Sequence, residues 1–271
     1  MKIAQLQLKV LDSKEANLAQ LRREIEAVMA EQPDFVTVGE MFACPYYTPN
    51  FPLYAEEDGG PMWRALSAIA RDYGVYLSAG SVPELADGKV YNTAYVFDRA
   101  GQQIAKHRKV HLFDIDVKGG QSFRESDTLT AGDRHTVFDT EFGRMGLCIC
   151  FDGRFPELAR LMVLDGAQAI FVPAAFNMTT GPAHWEVMHR SRAVDNQCYI
   201  VATSPARDVN FSYVAWGHSM IVDPWGKVVT ELGADAGAAV TEIDLGSVQQ
   251  IREQLPLLSA RRTDLYELTA K

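Results

Sequence analysis

A chain of 271 residues, 47% of them apolar, is long enough to bury a large core and has the composition of an ordinary globular protein. Its formal charge of −9 and the lack of a Lys/Arg-rich block argue against nucleic acid and anionic membrane surfaces, which bind basic faces. No apolar run approaches a membrane span or a signal-peptide core, and Cys44, Cys148, Cys150 and Cys198 lack disulfide-framework spacing; the expectation is a soluble, reduced, cytoplasmic protein.

Leu6, Leu8 and Val10 alternate with Gln5, Gln7 and Lys9, which predicts a half-buried strand. Asp12 and Glu15 suit a capping pair ahead of a helix whose apolar face is Leu18, Leu21, Ile25, Val28 and Met29. Residues 34–38 read as a strand ending at Gly39-Glu40. A second helix starts near Pro61, carries Met62, Leu66, Ile69 and Tyr73 on one face, and stops at Gly74. Strands follow at 75–80 and 91–98, separated by a turn at 86–89, and another at 145–150 leads into the helical run "FPELARLMVLDG". Residues 168–173 read as strand and 182–195 as helix. The strands "CYIVATS", "VAWGHSMIV" and "KVVTEL" then precede a last helix near 246–254. Strands alternating with helices imply a sheet covered by helices, and no repeat or linker divides the chain, so residues 1–271 are read as one α/β domain.

The stretch "GLCICFDGRFPE" (146–157) concentrates two cysteines and several charges. Zinc sites want paired ligands two to four residues apart, and redox pairs want Cys-x-x-Cys; Cys148-x-Cys150 fits neither. Buried strand packing accounts for Cys148, Cys44 and Cys198. Cys150 differs because it stands where strand gives way to helix, with Pro156 suited to a first helical turn. The positive end of a helix dipole there favours thiolate, the setting of a nucleophile on a sharp strand-to-helix turn.

A nucleophile also needs a base and a stabiliser for the oxyanion. None of the histidines at 107, 111, 135, 184, 189 and 218 sits in a comparable strand-end context; His184 reads as a bracing residue beside Trp185. Glu40, closing the strand "FVTV", and Lys109, in "KHRKVHLFD", do. Ligand sites of α/β sheets gather outside strand ends, where Glu40, Lys109 and Cys150 can converge.

In order and context, "VGEMF", "KHRKVHLFD" and "GLCICFDGRFPE" resemble the Glu, Lys and Cys motifs of the nitrilase superfamily of carbon–nitrogen hydrolases. The resemblance extends over essentially the whole chain and implies a four-layer αββα sandwich that pairs into a homodimer or larger homo-oligomer, with the segment from about 246 in subunit contacts. It implies Cys150 as nucleophile, Glu40 as general base and acid, and Lys109 as oxyanion stabiliser together with the backbone N–H of Phe151. Glu125, in "SFRESDTL", is the implied fourth acid that positions Lys109 and the substrate. No metal or organic cofactor is implied.

The segments "PAAFNMTTGPAHWEVMHRSRAVDNQCYIVATSPARD" and "SYVAWGHSMIVDPWGKVV" are similar to the ω-amidase branch, which deamidates α-ketoglutaramate and α-ketosuccinamate. Such a small-molecule amide carries a carboxylate far from the reacting carbon, which calls for a guanidinium and hydroxyls. Arg154 is the first candidate, with Thr180 and Tyr46 as second choices and Phe176 as a pocket wall. The bland alternatives are a pairing of Arg154 with Asp152 or Glu157, and a core position for Phe176. Phe151 and Gly153 depart from the family's usual residues at those positions. A deaminated-glutathione or N-carbamoyl amidase keeps the same mechanism with another substrate, and a non-catalytic scaffold keeps the fold alone.

Overall fold

In the computed structural model, which describes residues 1–270, two sheets stack face to face between outer layers of helix. The last residue of the predicted domain, 271, lies outside the described residues. The first sheet contains β1 (Lys2–Gln7), β2 (Phe35–Val38), β3 (Tyr76–Ser78), β4 (Val82–Ala86), β5 (Lys89–Phe97) and β6 (Gln103–Arg108). A short hairpin of β7 (Asp114–Asp116) and β8 (Ser122–Arg124) follows. The second sheet contains β9 (Thr136–Thr140), β10 (Gly143–Leu147), β11 (Ala169–Pro173), β12 (Tyr199–Thr203), β13 (Met220–Val222) and β14 (Val228–Glu231), and the chain returns to the first sheet as β15 (Gly237–Glu242).

The order is β15-β1-β2-β3-β5-β4 in the first sheet, with β6 also paired to β5, and β14-β13-β12-β11-β10-β9 in the second. Each sheet has a parallel centre, β1-β2-β3 and β10-β11-β12, flanked by antiparallel strands. Helices α1 (Lys14–Val28), α2 (Asn50–Tyr54) and α3 (Pro61–Tyr73) belong to the first half of the chain. The second half supplies α4 (Pro156–Leu164), α5 (Gly181–Asn196) and α6 (Gly246–Gln254). No helix among the described residues is long and apolar enough to cross a membrane.

Strand alternation decides the layers. On β2, Val36 and Val38 pack with Leu21 and Ile25 of α1 and Leu66 and Ile69 of α3. Phe35 points the other way and stacks on Phe171 of β11, ring centroids 5.0 Å apart, joining the two sheets. The αββα sandwich is therefore observed.

The polar face of β1 was expected to meet solvent, yet Gln5 and Gln7 are fully buried. They lie between the sheets. Gln5 Nε2 donates to Ala202 O at 2.8 Å and Thr203 Oγ1 at 3.0 Å, and Ser219 N donates to Gln7 Oε1 at 2.9 Å. Buried amides are tolerated because β12 and the approach to β13 supply partners. The cap of α1 is Ser13 rather than Asp12: Ser13 Oγ accepts from Ala16 N at 3.2 Å and donates to Glu15 Oε2 at 2.8 Å. At the other predicted stop, Gly74 adopts φ 64° and terminates α3.

Candidate active site

Glu40 stands just beyond β2, in a turn that cannot be loosened. A Cβ on Gly39 would lie 2.6 Å from Pro205 N, so only glycine lets the two chain segments approach this closely. Met41 follows with φ 51° and donates its N–H to Ser81 Oγ at 3.0 Å. The Glu40 side chain is fully buried. Its Oε1 accepts from Lys109 Nζ and Asn92 Nδ2, both at 2.8 Å, and from the Tyr46 hydroxyl at 3.2 Å. Oε2 has no partner among the described residues. Burial raises the Glu40 proton affinity above that of a free carboxylate, with Lys109 opposing.

Lys109 extends β6 by one residue, its N–H donating to Asn92 O at 2.8 Å. Its ammonium is completely buried between two carboxylates, Glu40 and Glu125, the latter with Oε2 at 2.9 Å. Burial works against its charge, but Glu125 and then Glu40 outweigh burial and keep it protonated. Glu125 opens the short turn Glu125–Asp127 and is fixed at both oxygens: Oε1 accepts from the Tyr46 hydroxyl at 2.6 Å and Oε2 from Phe113 N at 2.7 Å.

Cys150 begins the 3₁₀ turn Cys150–Arg154 after β10 and adopts φ 45°, a left-handed conformation that a residue with a Cβ rarely takes. Helix α4 starts only at Pro156, so the short turn, rather than α4, lies at the cysteine. The expectation of a depressed thiol pKa is overturned. Burial and then Glu40 push Cys150 well above the ordinary thiol value, against Lys109 and the Ala175 N–H, which faces the sulfur. At rest this is a neutral thiol beside a strong carboxylate base. Phe151 lies in the leading turn, where N–H groups have no partner inside the helix. Cys148, by contrast, packs in the hydrophobic core.

Arg154 makes no ion pair with Asp152 or Glu157. Asp152 is occupied by His107 Nε2 at 3.0 Å and His111 Nδ1 at 2.8 Å. The half-buried guanidinium instead lies 4.7 Å from the Phe176 ring centre and 5.7 Å from that of Phe151, and Nη1 donates to His184 Nδ1 at 3.1 Å. Burial lowers the Arg154 pKa, while Cys150 and Tyr213 favour the charge. Among the described residues it pairs with no carboxylate. Phe176 is buried against Trp185, and Thr180 Oγ1 donates to Asn177 Oδ1 at 3.1 Å. The Tyr46 hydroxyl meets both carboxylates, and its ring lines the cleft at Glu40.

The model of the family described as "Carbon-nitrogen hydrolase" matches residues 2–253. The chain belongs to this carbon–nitrogen hydrolase family. It is 46% identical to the mouse (Mus musculus) protein named omega-amidase NIT2, over 100% of this chain and 98% of that one. Identity to the human omega-amidase NIT2 is 45% with the same coverage. Among solved structures, Saccharomyces cerevisiae Nit3, described as a member of branch 10 of the nitrilase superfamily, superposes with TM-score 0.89 at 40% identity. That match covers 97% of this chain and 96% of Nit3.

In this carbon–nitrogen hydrolase the fold gathers Glu40, Lys109 and Glu125 in one buried cluster beside Cys150, and three further residues that sequence reasoning missed support it. Asn92, on β5, holds Glu40. Asp152 accepts from Val110 N and His111 N, at 3.2 and 2.9 Å, beyond its own turn. Tyr213 lies on the loop after β12 and donates its hydroxyl to Ala175 O. An Asn on β5 facing a buried acid beyond β2, two strands away in the sheet, leaves no trace in periodicity. The crowding of ionisable residues after Cys150 was the signal available for Asp152.

Proposed function

We propose that this carbon–nitrogen hydrolase is an ω-amidase that hydrolyses the terminal amide of short 2-oxo dicarboxylates, α-ketoglutaramate and α-ketosuccinamate, through a Cys150 thioester. The observation that carries the reading is the buried arrangement Glu125–Lys109–Glu40 beside Cys150, with one Glu40 oxygen free. The full-length identity to proteins named omega-amidase supports the substrate class.

Glu40 takes the Cys150 proton as the sulfur attacks the amide carbon, so the thiolate forms only when it is used. The oxyanion is received by the Lys109 ammonium and the Phe151 N–H. As the tetrahedral species collapses, the C–N bond breaks and Glu40 returns its proton to the nitrogen, releasing ammonia. Glu40 then takes a proton from water as its oxygen attacks the thioester carbon, and returns that proton to the Cys150 sulfur as the C–S bond breaks, restoring the thiol. Glu125 and Tyr46 hold Lys109 and Glu40 in register. Arg154 receives the substrate carboxylate as a charge-assisted pair, and Phe176 and Thr180 flank it. No metal or organic cofactor takes part in these steps.

The same reading has the protein act as one cytoplasmic domain, in a homodimer or larger homo-oligomer. Exposed apolar side chains on the outer layer support self-association: Val187 and Val194 of α5, and Trp225 in the turn that packs on it. Leu265 and Tyr266 add apolar surface near the end of the chain. Size-exclusion chromatography with light scattering should give at least twice the chain mass; a monomer removes this part of the reading.

Ammonia release from α-ketoglutaramate and α-ketosuccinamate, compared with deaminated glutathione and N-carbamoyl amides, tests the function. Highest kcat/KM on the oxo-amides is expected. Activity confined to the other amides would leave the chemistry and overturn the substrate.

A further inference from the structure

One cleft reaches the buried charged groups at Glu40 and a second opens beside it, and Tyr46 and Tyr213 belong to the walls of both. One is lined by Glu40, Ala175 and the Pro205–Phe211 side of the loop. The other runs past Phe123, Asn177 and Thr179. The Tyr213 ring stands on Tyr46, centroids 4.5 Å apart, and meets the Phe123 ring edge-on at 5.6 Å. Its side chain is thus the partition between the clefts, fixed at its far end by the hydroxyl bond to Ala175 O.

The partition is anchored to the candidate substrate site. Ala215 pairs with Asn177 across an antiparallel bridge, and Asn177 Oδ1 accepts from Thr179 N and Thr180 N, both at 2.9 Å. The phenol also feels both ends of that site. Burial and then Cys150, Glu40 and Glu125 push its pKa well above the ordinary value, while Arg154 acts in the opposite sense.

We propose that Tyr213 is a specificity-determining residue that limits the chain length of the amide by filling the flank of the space between Cys150 and Arg154. This rests on the ω-amide reading above. A substrate held at both ends, with its amide carbon at Cys150 and its carboxylate at Arg154, takes an additional methylene only by bowing sideways. Tyr213 occupies the side on which the clefts would otherwise merge. The ring does the excluding, and the hydroxyl keeps the ring in place.

The test is kcat/KM on α-ketosuccinamate, α-ketoglutaramate and its next longer homologue, the ω-amide of 2-oxoadipate. The native enzyme should discriminate against the longest by about tenfold or more, the scale of one methylene in a shaped pocket. Tyr213→Phe should keep that ratio, and Tyr213→Ala should lower it about tenfold. Tyr213→Leu should fall between them and serves if the alanine variant does not fold. An unchanged ratio in both smaller variants, or equal loss on all three substrates, overturns the proposal. A native enzyme inactive on every oxo-amide defeats the ω-amide reading itself, a distinct outcome.

Discussion

Asp152 holds His111 by two bonds to one oxygen: Oδ1 lies 2.8 Å from His111 Nδ1 and 2.9 Å from the His111 main-chain N. The other oxygen, Oδ2, accepts from Ile149 N and His107 Nε2, both at 3.0 Å. One buried carboxylate therefore ties the turn that presents Cys150 to the strand end and loop that present Lys109. Burial opposes its charge, but the hydrogen bonds from His107 and His111 prevail and hold Asp152 well below the usual carboxylate range.

Replacing Asp152 by Asn puts an amide N–H₂ among donors. Loss of about 2–4 kcal/mol in urea unfolding at pH 7 is expected, the scale of unpairing buried charged hydrogen bonds. Because the folded pKa is depressed, this contribution is complete above the unfolded carboxylate value of about 3.9 and decays as pH falls below it. The native–variant difference should therefore shrink on acidification. A difference that stays constant down to about pH 3 would contradict the assignment of the charge.

Glu40→Gln should reveal that the resting thiol needs its base. Iodoacetamide alkylation of Cys150 at pH 7 should slow by a factor of about 100, the scale of general-base removal. Cys44 and Cys198, both pushed up to about 12 by burial, should react poorly in native and variant alike. Equal Cys150 rates with and without Glu40 would mean that the thiolate forms independently. Because burial raises Glu40, the acid limb of kcat/KM should lie above the usual carboxylate range.

Lys109→Met leaves two buried carboxylates facing each other without their cation. A loss of about 3–5 kcal/mol in stability is expected, as for other broken buried ion pairs. Adding Glu125→Gln removes one charge and should restore much of that loss in a thermal melt, with ammonia release remaining absent. Recovery of activity in the double variant would rule out Lys109 as the oxyanion cation.

Gly39→Ala probes how Glu40 is aimed. The new Cβ would meet Pro205 backbone and ring atoms at 2.6–2.7 Å, neither of which can swing aside as a flexible side chain would. Stability should fall by about 1–3 kcal/mol. Activity should fall further than the melt implies, because the displaced residue is next to Glu40. A silent substitution would show that the β2–Pro205 approach is not needed.

The motifs that made the site legible are ionisable residues placed directly after apolar strand runs, a local pattern that survives without coordinates. What escaped were features set by tertiary partners. Gln5 and Gln7 read as solvent-facing because alternation cannot distinguish water from a polar partner on an opposing sheet. Strand β4 was passed over because "VPELA" carries Pro83 and an acid. In the fold Glu84 is buried, accepting from Arg108 Nη2 at 2.8 Å and Thr93 Oγ1 at 2.7 Å. Strand β15 has glycine and alanine where a strand reader looks for branched side chains, and pairing with β1 supplies the order instead. The Cys150 proton affinity escaped for a related reason: the Lys109 charge is visible in the sequence, whereas burial and the Glu40 carboxylate that offset it are not.

The most direct test of the account is to quench the enzyme in acid during turnover of α-ketoglutaramate and weigh the peptide that contains Cys150. The account predicts an oxo-acyl adduct on Cys150, formed with a first-turnover burst of ammonia and absent in Cys150→Ala. Turnover that continues in Cys150→Ala, or an adduct on any other residue, would contradict it.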